Sequence, residues 1–162
     1  MNHQKVSLEK FWAERFVFSP AELHAFEEVQ REHFIPPMLR QVAYDDIPLP
    51  ILRGKTISQP TTVMLMTHEL ELEEGMKVFE VGSGSGYQSA LIAEIIGPKG
   101  KVVSTEVLPE LVQFAKENLN KAGITTVDVH EADGSRGWPS EAPFDRIILT
   151  AACKEFPKAQ SK

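Results

Sequence analysis

A glycine-rich loop is the clearest chemical feature of the sequence. Residues 80–86 read Glu-Val-Gly-Ser-Gly-Ser-Gly, between an apolar run at 77–81 and a helical pattern at 87–96. Glycine permits tight backbone turns and lets a ligand approach the main chain closely. This strand–loop–helix context indicates a nucleotide-type binding site, although the same glycines could serve only to pack the strand against the helix. The loop residues proposed to bind are Gly82, Ser83, Gly84, Ser85 and Gly86.

Two classes of ligand compete for this loop. A dinucleotide-binding loop has the spacing Gly-x-Gly-x-x-Gly and holds a pyrophosphate at the helix N-terminus. Here the spacing is Gly-x-Gly-x-Gly, and Glu80 stands at the end of the preceding strand. A carboxylate there repels a pyrophosphate but suits a ligand with cationic groups. S-adenosylmethionine carries a sulfonium and an ammonium and no phosphate, so the charge argument favours it over a nicotinamide dinucleotide.

Two further acidic positions follow later predicted strands. Glu106 ends the second strand, where an acid commonly accepts hydrogen bonds from ribose hydroxyls; an exposed charge at a strand end is the alternative. Asp133-Gly134 follows the third strand and could bind an adenine amine, although Asp-Gly is also a common turn. All these positions fall at the same carboxyl edge of the predicted sheet.

The elements that must position these residues alternate between helix and strand. This pattern predicts an α/β fold with a doubly wound parallel sheet, because crossovers between parallel strands are right-handed. The predicted helices are 6–16, one starting at Ser19-Pro20, 61–72, 87–96 and 109–122; the predicted strands are 77–81, 102–106, 127–130 and 146–150. Prolines make 35–59 an irregular surface segment. We predict one domain, 1–162, with a helical and irregular cap over 1–60 and a cofactor-binding α/β core over 61–162.

Composition excludes several other classes. The 162 residues are 42% hydrophobic and 25% charged, which is typical of a folded soluble chain. Seventeen basic against twenty-three acidic residues give a net charge of −6, which argues against a nucleic-acid partner. The single cysteine, Cys153, allows no internal disulfide, and no Cys/His spacing suggests a metal site. No signal peptide or membrane-spanning run is found, so the cytoplasm is the predicted location.

Two smaller features receive structural interpretations. Gly54-Lys55-Thr56 imitates the end of a phosphate-binding loop, but Leu49 stands where its first glycine belongs, so a nucleoside triphosphatase is rejected. Trp12 and Trp138 are interpreted as packing anchors, and Cys153 as a small buried hydrophobic residue.

Longer stretches of the sequence resemble the protein-L-isoaspartate O-methyltransferase family. The most specific is Thr-Ile-Ser-Gln-Pro at 56–60, whereas most S-adenosylmethionine methyltransferases share the glycine loop. The resemblance covers nearly the whole chain. Its other stretches are 43–46, 49–51, 54–55, 80–88, 109–111, 133–134, 137–139, 142–148 and 150–152.

The resemblance implies methyl transfer from S-adenosylmethionine to the free α-carboxylate of L-isoaspartyl residues in damaged proteins and peptides. The ester then collapses to a succinimide, whose hydrolysis restores some normal aspartate. A carboxylate with a pKa of about 4 is already ionised at neutral pH, so no general base is needed. Ser58 is implied as the catalytic residue; without the resemblance, a turn-forming serine before Pro60 would be preferred. The implied cofactor-binding residues are Thr56, Ile57, Gln59, Glu80, Gly82, Ser83, Gly84, Ser85, Gly86, Glu106, Val107, Asp133 and Gly134.

The end of the sequence departs from this resemblance. After 150–152 the family continues into a further helix and strands, whereas this chain has a short polar stretch and ends at Lys162. We therefore expect the C-terminal strands to be missing, the 146–150 strand to lie at an exposed sheet edge, and cofactor affinity or turnover to be reduced. The family is monomeric, and an open edge could pair with a second copy. A non-catalytic cofactor-binding or interaction module is the alternative, and a nicotinamide dehydrogenase domain is a disfavoured third.

Overall fold

The computed structural model describes residues 3–152, and Cys153 lies outside that range, so its predicted burial is not tested. The α helices are α1 His3–Ala13, α2 Pro20–Glu28, α3 Pro60–His68, α4 Tyr87–Ile96 and α5 Pro109–Lys121. The strands are β1 Leu49–Pro50, β2 Thr56–Ile57, β3 Lys77–Val81, β4 Lys101–Glu106, β5 Val127–Glu131 and β6 Arg146–Leu149. Short 3-10 helices span Arg31–Phe34, Pro37–Val42, Leu52–Gly54 and Gly134–Arg136. Within 3–152, every helix is too short or too polar to cross a bilayer.

The central sheet has the strand order β5-β4-β3-β6, and all neighbouring strands are parallel. The chain runs from β3 to β4 to β5 in one direction and then returns to place β6 on the opposite side of β3. Ligands bind at such a reversal, outside the carboxyl ends of the strands. The predicted α/β parallel sheet is confirmed, with strand bounds that differ from prediction by at most one residue.

Side chains alternate along β3 and separate the two faces of the sheet. Val78 packs in an apolar cluster with Ile92 and Ile96 of α4. Phe79 points to the other face, where its ring stacks on that of Phe144 at 5.2 Å between centroids. Helix α4 therefore covers one face, and the connection from β5 to β6 covers part of the other.

The predicted helix over 61–72 is wrong at its C-terminal end, because α3 stops at His68. Glu71 adopts a positive φ of 46°, which turns the chain away from the helix axis. Leu70 is buried and joins the apolar cluster of Val78. Burial of Leu70 and the turn at Glu71 thus replace the last helical turn that the apolar spacing predicted.

The segment 35–59 is irregular, as its prolines predicted, but the expectation that it lies on the surface is wrong for much of its length. Eight of its residues belong to the main apolar cluster or pack against it, because the segment closes one side of the core. These are Ile35, Leu39, Val42, Ala43, Tyr44, Leu49 and Ile51, with Ile57 at the end of the segment. The antiparallel pair β1–β2 within the segment was not predicted.

Trp12 is the anchor between the N-terminal cap and the core, as predicted. Its side chain is 1% exposed, and its Nε1 donates to Thr61 Oγ1 at 2.7 Å. The Thr61 hydroxyl and main-chain N–H in turn donate to Asp46 Oδ2 and Oδ1, at 2.8 and 2.9 Å. These bonds tie α1, the irregular segment and the start of α3 together. The second predicted anchor, Trp138, stacks on His130 with 4.4 Å between ring centroids.

Candidate functional site

A cavity of about 500 Å³ opens at the carboxyl edge of β3, β4 and β6. Its volume falls in the range of small-molecule sites in proteins. Residues 80–88, which we call the glycine wall, form one side, and residues 54–58, the hairpin wall, form another. The ends of β4 and β6 complete it. The lining residues are Gly54, Lys55, Thr56, Ile57, Ser58, Val63, Met66, Glu80, Gly82, Ser83, Gly84, Ser85, Tyr87, Gln88, Glu106, Val107, Leu111, Leu149, Thr150, Ala151 and Ala152.

The third residue of the glycine wall, Gly82, occupies a position that only glycine fits. Gly82 has a φ of +99°, and a Cβ added there would lie 2.7 Å from the Cβ of Ala151. The main-chain N–H groups of Gly82 and Ser83 both donate to Thr105 O, at 2.8 and 3.1 Å. The loop is therefore held against β4 on one side and against the residues after β6 on the other.

Glu80 lies at the bottom of the glycine wall and is fully buried. Its Oε2 accepts hydrogen bonds from the hydroxyls of Ser89 and Ser104, the latter at 2.6 Å. Its Oε1 is buried without a hydrogen-bond partner among the described residues. Burial raises the pKa of Glu80 to about 7; the two serine bonds oppose this rise, and the nearby Glu106 charge adds to it.

This environment changes the charge argument made from the sequence. That argument treated Glu80 as a permanent anion, whereas a carboxyl with a pKa near 7 is about half protonated at neutral pH. A cationic group brought to Oε1 would favour the ionised form. Ser89 and Ser104 were not singled out in the sequence, although each is a polar residue within a largely apolar element.

Glu106 ends β4 and links that strand to the glycine wall. Its Oε2 accepts from the Gly84 N–H at 3.1 Å. Its Oε1 accepts from the main-chain N–H groups of Val107 and Leu108, at 2.9 and 3.2 Å. These bonds fix the carboxylate at the cavity. Because a carboxylate oxygen has two lone pairs, Oε2 retains capacity for one further donor such as a ribose hydroxyl.

The hairpin wall continues directly from a tight turn. Arg53 and Gly54 adopt positive φ values of 58° and 67°, which reverse the chain between β1 and β2. The turn is closed by two hydrogen bonds of Lys55, whose O accepts from Ile51 N–H at 2.8 Å and whose N–H donates to Leu52 O at 3.1 Å. Strand β2 then carries the wall along the cavity to Ser58.

The structure brings most of the predicted site residues into this one cavity. Those that line it are Thr56, Ile57, Ser58, Glu80, Gly82, Ser83, Gly84, Ser85, Glu106 and Val107. Four predicted residues are not among the lining set. Gln59 and Gly86 are the N-caps of α3 and α4, and Gly86 also packs closely on Ala115 and Leu119 of α5.

The other two predicted residues outside the cavity are Asp133 and Gly134. Asp133 Oδ1 accepts from the Ser135 N–H at 3.0 Å, which is the turn that the Asp-Gly alternative described. Gly134 lies against Val81 and Thr105, where the chain crosses the sheet and a Cβ would collide with both side chains. Each residue thus has a structural role at the carboxyl edge.

Residues after β6 also line the cavity and were not among the predicted site residues. Thr150 Oγ1 donates to Gly82 O at 2.6 Å, and its main-chain N–H donates to Val81 O at 3.0 Å. Ala151 and Ala152 follow it along the lining. Their position directly after an apolar strand was the signal that could have identified them, as it did for residues 80–86 and 106.

The reversed parallel sheet, the glycine loop after β3 and the acid at the end of β4 define a Rossmann-like, S-adenosylmethionine-dependent methyltransferase fold. A sequence model of the family described as "Protein-L-isoaspartate(D-aspartate) O-methyltransferase (PCMT)" matches residues 2–162. The chain belongs to this protein-L-isoaspartate O-methyltransferase family.

Individual relatives agree with this family. The chain is 47% identical over 150 residues to a protein-L-isoaspartate O-methyltransferase of Ignicoccus hospitalis, covering 93% of this chain and 71% of that protein. It is 48% identical over 136 residues to one of Methanoculleus marisnigri, covering 84% of this chain and 60% of that protein. The chain thus spans 60% to 71% of the length of these relatives.

Solved structures give the same family. A protein-L-isoaspartate O-methyltransferase superimposes with a TM-score of 0.85 at 31% identity, over 99% of this chain and 51% of that one. A Plasmodium falciparum structure described as the same enzyme, in complex with S-adenosyl-L-homocysteine, gives a TM-score of 0.83 at 25% identity, over 98% and 78% of the two chains.

Proposed function

We propose that this chain binds S-adenosylmethionine in the cavity and transfers a methyl group to the free α-carboxylate of L-isoaspartyl residues in damaged proteins. One observation carries the proposal: the family-specific hairpin wall and the cofactor-type glycine wall line the same cavity. Membership of the family and the S-adenosyl-L-homocysteine named with the Plasmodium falciparum relative support the same ligand class.

The residues at the glycine wall fit a cationic cofactor. Glu80 Oε1 is buried without a partner, and a positively charged group is the kind of ligand that would satisfy it. Glu106 Oε2 has a free lone pair for a ribose hydroxyl, and the backbone is open at Gly84, where the nearest side-chain atom to an added Cβ is 3.8 Å away. When bound, S-adenosylmethionine supplies an electrophilic methyl group on sulfur.

The remaining predicted binding residues receive proposed roles by position. Thr56, Ile57, Ser83, Ser85, Gly82 and Val107 would contact the cofactor from the cavity lining. Gln59 and Gly86 would act through the helices whose first turns they cap. Asp133 and Gly134 would contribute on the adenine side, at the carboxyl edge beyond β5.

Ser58 is proposed to orient the acceptor. Its hydroxyl can donate a hydrogen bond to the isoaspartyl carboxylate, which is ionised at neutral pH and needs no proton removed. The task of the site is then alignment of the carboxylate oxygen with the methyl group, and such orientation can lower a barrier by about 7–11 kcal/mol. Exclusion of water by the buried glycine wall would strengthen these polar contacts.

The direct test is methyl transfer by the purified chain to an isoaspartyl peptide, with the aspartyl peptide of the same sequence as a control. We expect transfer to the first peptide alone. Ser58→Ala should lower kcat while leaving the Kd for S-adenosylmethionine unchanged, and Ser140→Ala, at an exposed serine away from the cavity, should alter neither. Transfer to both peptides, or full activity of Ser58→Ala, would contradict the proposal.

The alternative of a non-catalytic cofactor-binding module predicts a different result. Such a module would bind S-adenosylmethionine in a calorimetric titration but would methylate neither peptide. A titration with NADH separates both possibilities from a dehydrogenase domain, which would bind NADH; we expect this chain to give no heat of binding with NADH.

We further propose a cytoplasmic monomer that folds as one domain, with 1–60 as cap and 61–162 as core. Cap residues and α4 share one apolar cluster, which supports a single cooperative unit. Among the described strands β6 pairs with β3 alone, so its outer edge is the surface through which two copies could associate. Light scattering at increasing concentration tests the monomer, a single unfolding transition tests the domain, and cell fractionation tests the location.

A further inference from the structure

The charges around the cavity are unevenly distributed. Of the described residues that line it, Glu80 and Glu106 are acidic and Lys55 is the one basic residue. Both acids are buried, whereas Lys55 is exposed on the hairpin wall. The cationic end of the cavity is therefore at its solvent side, three positions before Ser58.

The backbone of Lys55 is held in place although its side chain is free to move. Its N–H and O both take part in the hydrogen bonds that close the hairpin turn, with Leu52 and Ile51. The turn itself is tied to α5 by an ion pair between Arg53 Nε and Glu110 Oε1 at 3.6 Å. The ammonium thus has a fixed point of attachment beside the cavity and the reach of a flexible side chain.

A cationic group at the mouth of the cavity favours the entry of an anionic acceptor. A carboxylate that approaches the reacting position also approaches Glu106, whose negative charge repels it. The net charge of −6 adds a long-range repulsion that an isoaspartyl peptide with further acidic residues would feel strongly. An ammonium at the mouth offsets this repulsion where the acceptor arrives.

We propose that Lys55 is a substrate-binding residue that draws the acceptor carboxylate into the cavity and favours peptides with negative charge beside the isoaspartyl residue. This inference rests on the proposed methyltransferase function. During transfer the carboxylate oxygen bonds to the methyl carbon while the sulfur keeps the electron pair of the broken bond, so the acceptor loses its charge. In the transition state the oxygen still carries part of this charge, so Lys55 binds the acceptor about equally before and during transfer and affects KM, not kcat.

The test compares Lys55→Gln with a matched control, Lys99→Gln, which removes a lysine that is 82% exposed and does not line the cavity. The Kd of a fluorescent isoaspartyl peptide is measured by anisotropy with S-adenosyl-L-homocysteine present, and KM and kcat are measured with S-adenosylmethionine. Lys55→Gln should raise Kd and KM roughly two- to fivefold, as expected for an exposed charge pair, with kcat unchanged. Lys99→Gln should leave all three unchanged.

Two further variants define the chemistry. Lys55→Arg should retain the wild-type Kd, because it keeps the charge, and Lys55→Glu should raise the Kd more than Lys55→Gln. The difference between wild type and Lys55→Gln should shrink at 0.5 M salt and grow when the peptide carries an acidic neighbour, since exposed charges are screened.

The outcomes separate this proposal from the proposed function. Peptide binding that depends on Lys55 without methyl transfer would support Lys55 as the binding residue and contradict the proposed catalysis. Methyl transfer with equal Kd values for wild type and Lys55→Gln would overturn the Lys55 proposal alone. A fall in kcat at unchanged Kd would also overturn it, and a wild-type chain that neither binds nor methylates the peptide would overturn both.

Discussion

The two walls of the cavity are built in different ways. The glycine wall runs from the end of a five-residue strand into the first turn of a ten-residue helix, and its shape is set by glycine φ angles and main-chain bonds to β4. The hairpin wall contains the two-residue strand β2, and its pairing with the equally short β1 could not hold the wall alone. It leads directly into the start of α3, where Thr61 is bonded to Asp46 and Trp12 of distant segments. One wall is specified locally and the other by tertiary contacts.

The two walls also meet through the N-terminal cap. Arg31 is fully buried, and its Nε donates to Ala43 O at 2.7 Å. Its guanidinium carbon lies 5.3 Å from the ring centroid of Tyr87, the first residue of α4. Burial lowers the pKa of Arg31, with the surrounding Tyr87, Tyr44 and acidic groups opposing that effect. The irregular segment is thus attached to the glycine wall by a cation over an aromatic ring.

The largest loss of stability should come from a substitution that the backbone conformation of the glycine wall cannot accept. Gly82→Ala places a Cβ 2.7 Å from that of Ala151 at a φ of +99°. Left-handed strain costs about 1–3 kcal/mol, and overpacking costs about 1–3 kcal/mol more. We expect a loss of about 4 kcal/mol in the free energy of unfolding, measured with urea. Gly75→Ala is the control, because its φ is +85° but no atom lies within 4 Å; equal losses would show that close packing at Gly82 is unimportant.

The second-largest effect should come from the buried carboxyl of Glu80 in the same wall, as a change of stability with pH. The pKa of Glu80 is about 7 in the folded protein against an ordinary value of 4.5, so the folded state binds the proton more tightly. This carboxyl therefore makes the protein less stable as pH rises from about 4.5 to 7, and the full difference is about 3 kcal/mol. Between pH 4 and pH 8, the free energy of unfolding of Glu80→Gln should therefore rise by about that amount relative to wild type. Urea unfolding at each pH measures this difference.

The control for Glu80 is Glu94→Gln, which removes an exposed carboxylate from α4, the helix that follows the glycine loop. The same two variants also show whether the affinity for the cofactor depends on the ionisation of Glu80. Because a cationic ligand favours ionised Glu80, affinity for S-adenosylmethionine should rise from pH 6 to pH 8 in wild type and stay flat in Glu80→Gln. A pH-independent affinity in wild type would argue against contact between Glu80 and the cationic part of the ligand.

A smaller effect is expected at the support of the hairpin wall. Asp46→Ala removes both acceptors of Thr61, a side-chain cap on the first turn of α3 whose loss costs about 1–2 kcal/mol. Because Ser58 lies close before α3, the KM for isoaspartyl peptide should rise, while cofactor Kd stays near the wild-type value. Glu94→Ala, at an exposed carboxylate of α4, controls for the lost charge, and an equal change in both variants would refute a specific role for the Asp46–Thr61 bonds.

The smallest change in stability is expected from the exposed ion pair of the hairpin turn. Arg53 and Glu110 have side chains 58% and 52% exposed, and their ion pair spans 3.6 Å. Such pairs contribute less than about 1 kcal/mol. Arg53→Gln should change the free energy of unfolding by under about 0.5 kcal/mol, and a double-mutant cycle with Glu110→Gln measures the pair itself. A coupling above 1 kcal/mol would mean that surface charge also contributes substantially to holding the hairpin turn.

The parts predicted well from sequence are those with strong local signals. Strand β3, the glycine loop and α4 follow from an apolar run, glycine spacing and helical periodicity, and all three were found at the expected positions. The β1–β2 pair was missed because two-residue strands leave no periodic pattern. The end of α3 was misplaced because burial of Leu70 outweighs helical spacing, which a single sequence cannot reveal.

The sequence by itself determined the parallel sheet, the glycine loop and the family-specific Thr-Ile-Ser-Gln-Pro segment, because residue type and spacing encode backbone conformation locally. Only the tertiary structure decided that Ser58 and Glu80 line the same cavity and that Thr150 and Ala151 close on Gly82. It also decided that Glu80 is buried with a pKa near 7. Desolvation depends on every element packed around a carboxyl, and that arrangement exists only once distant segments have met.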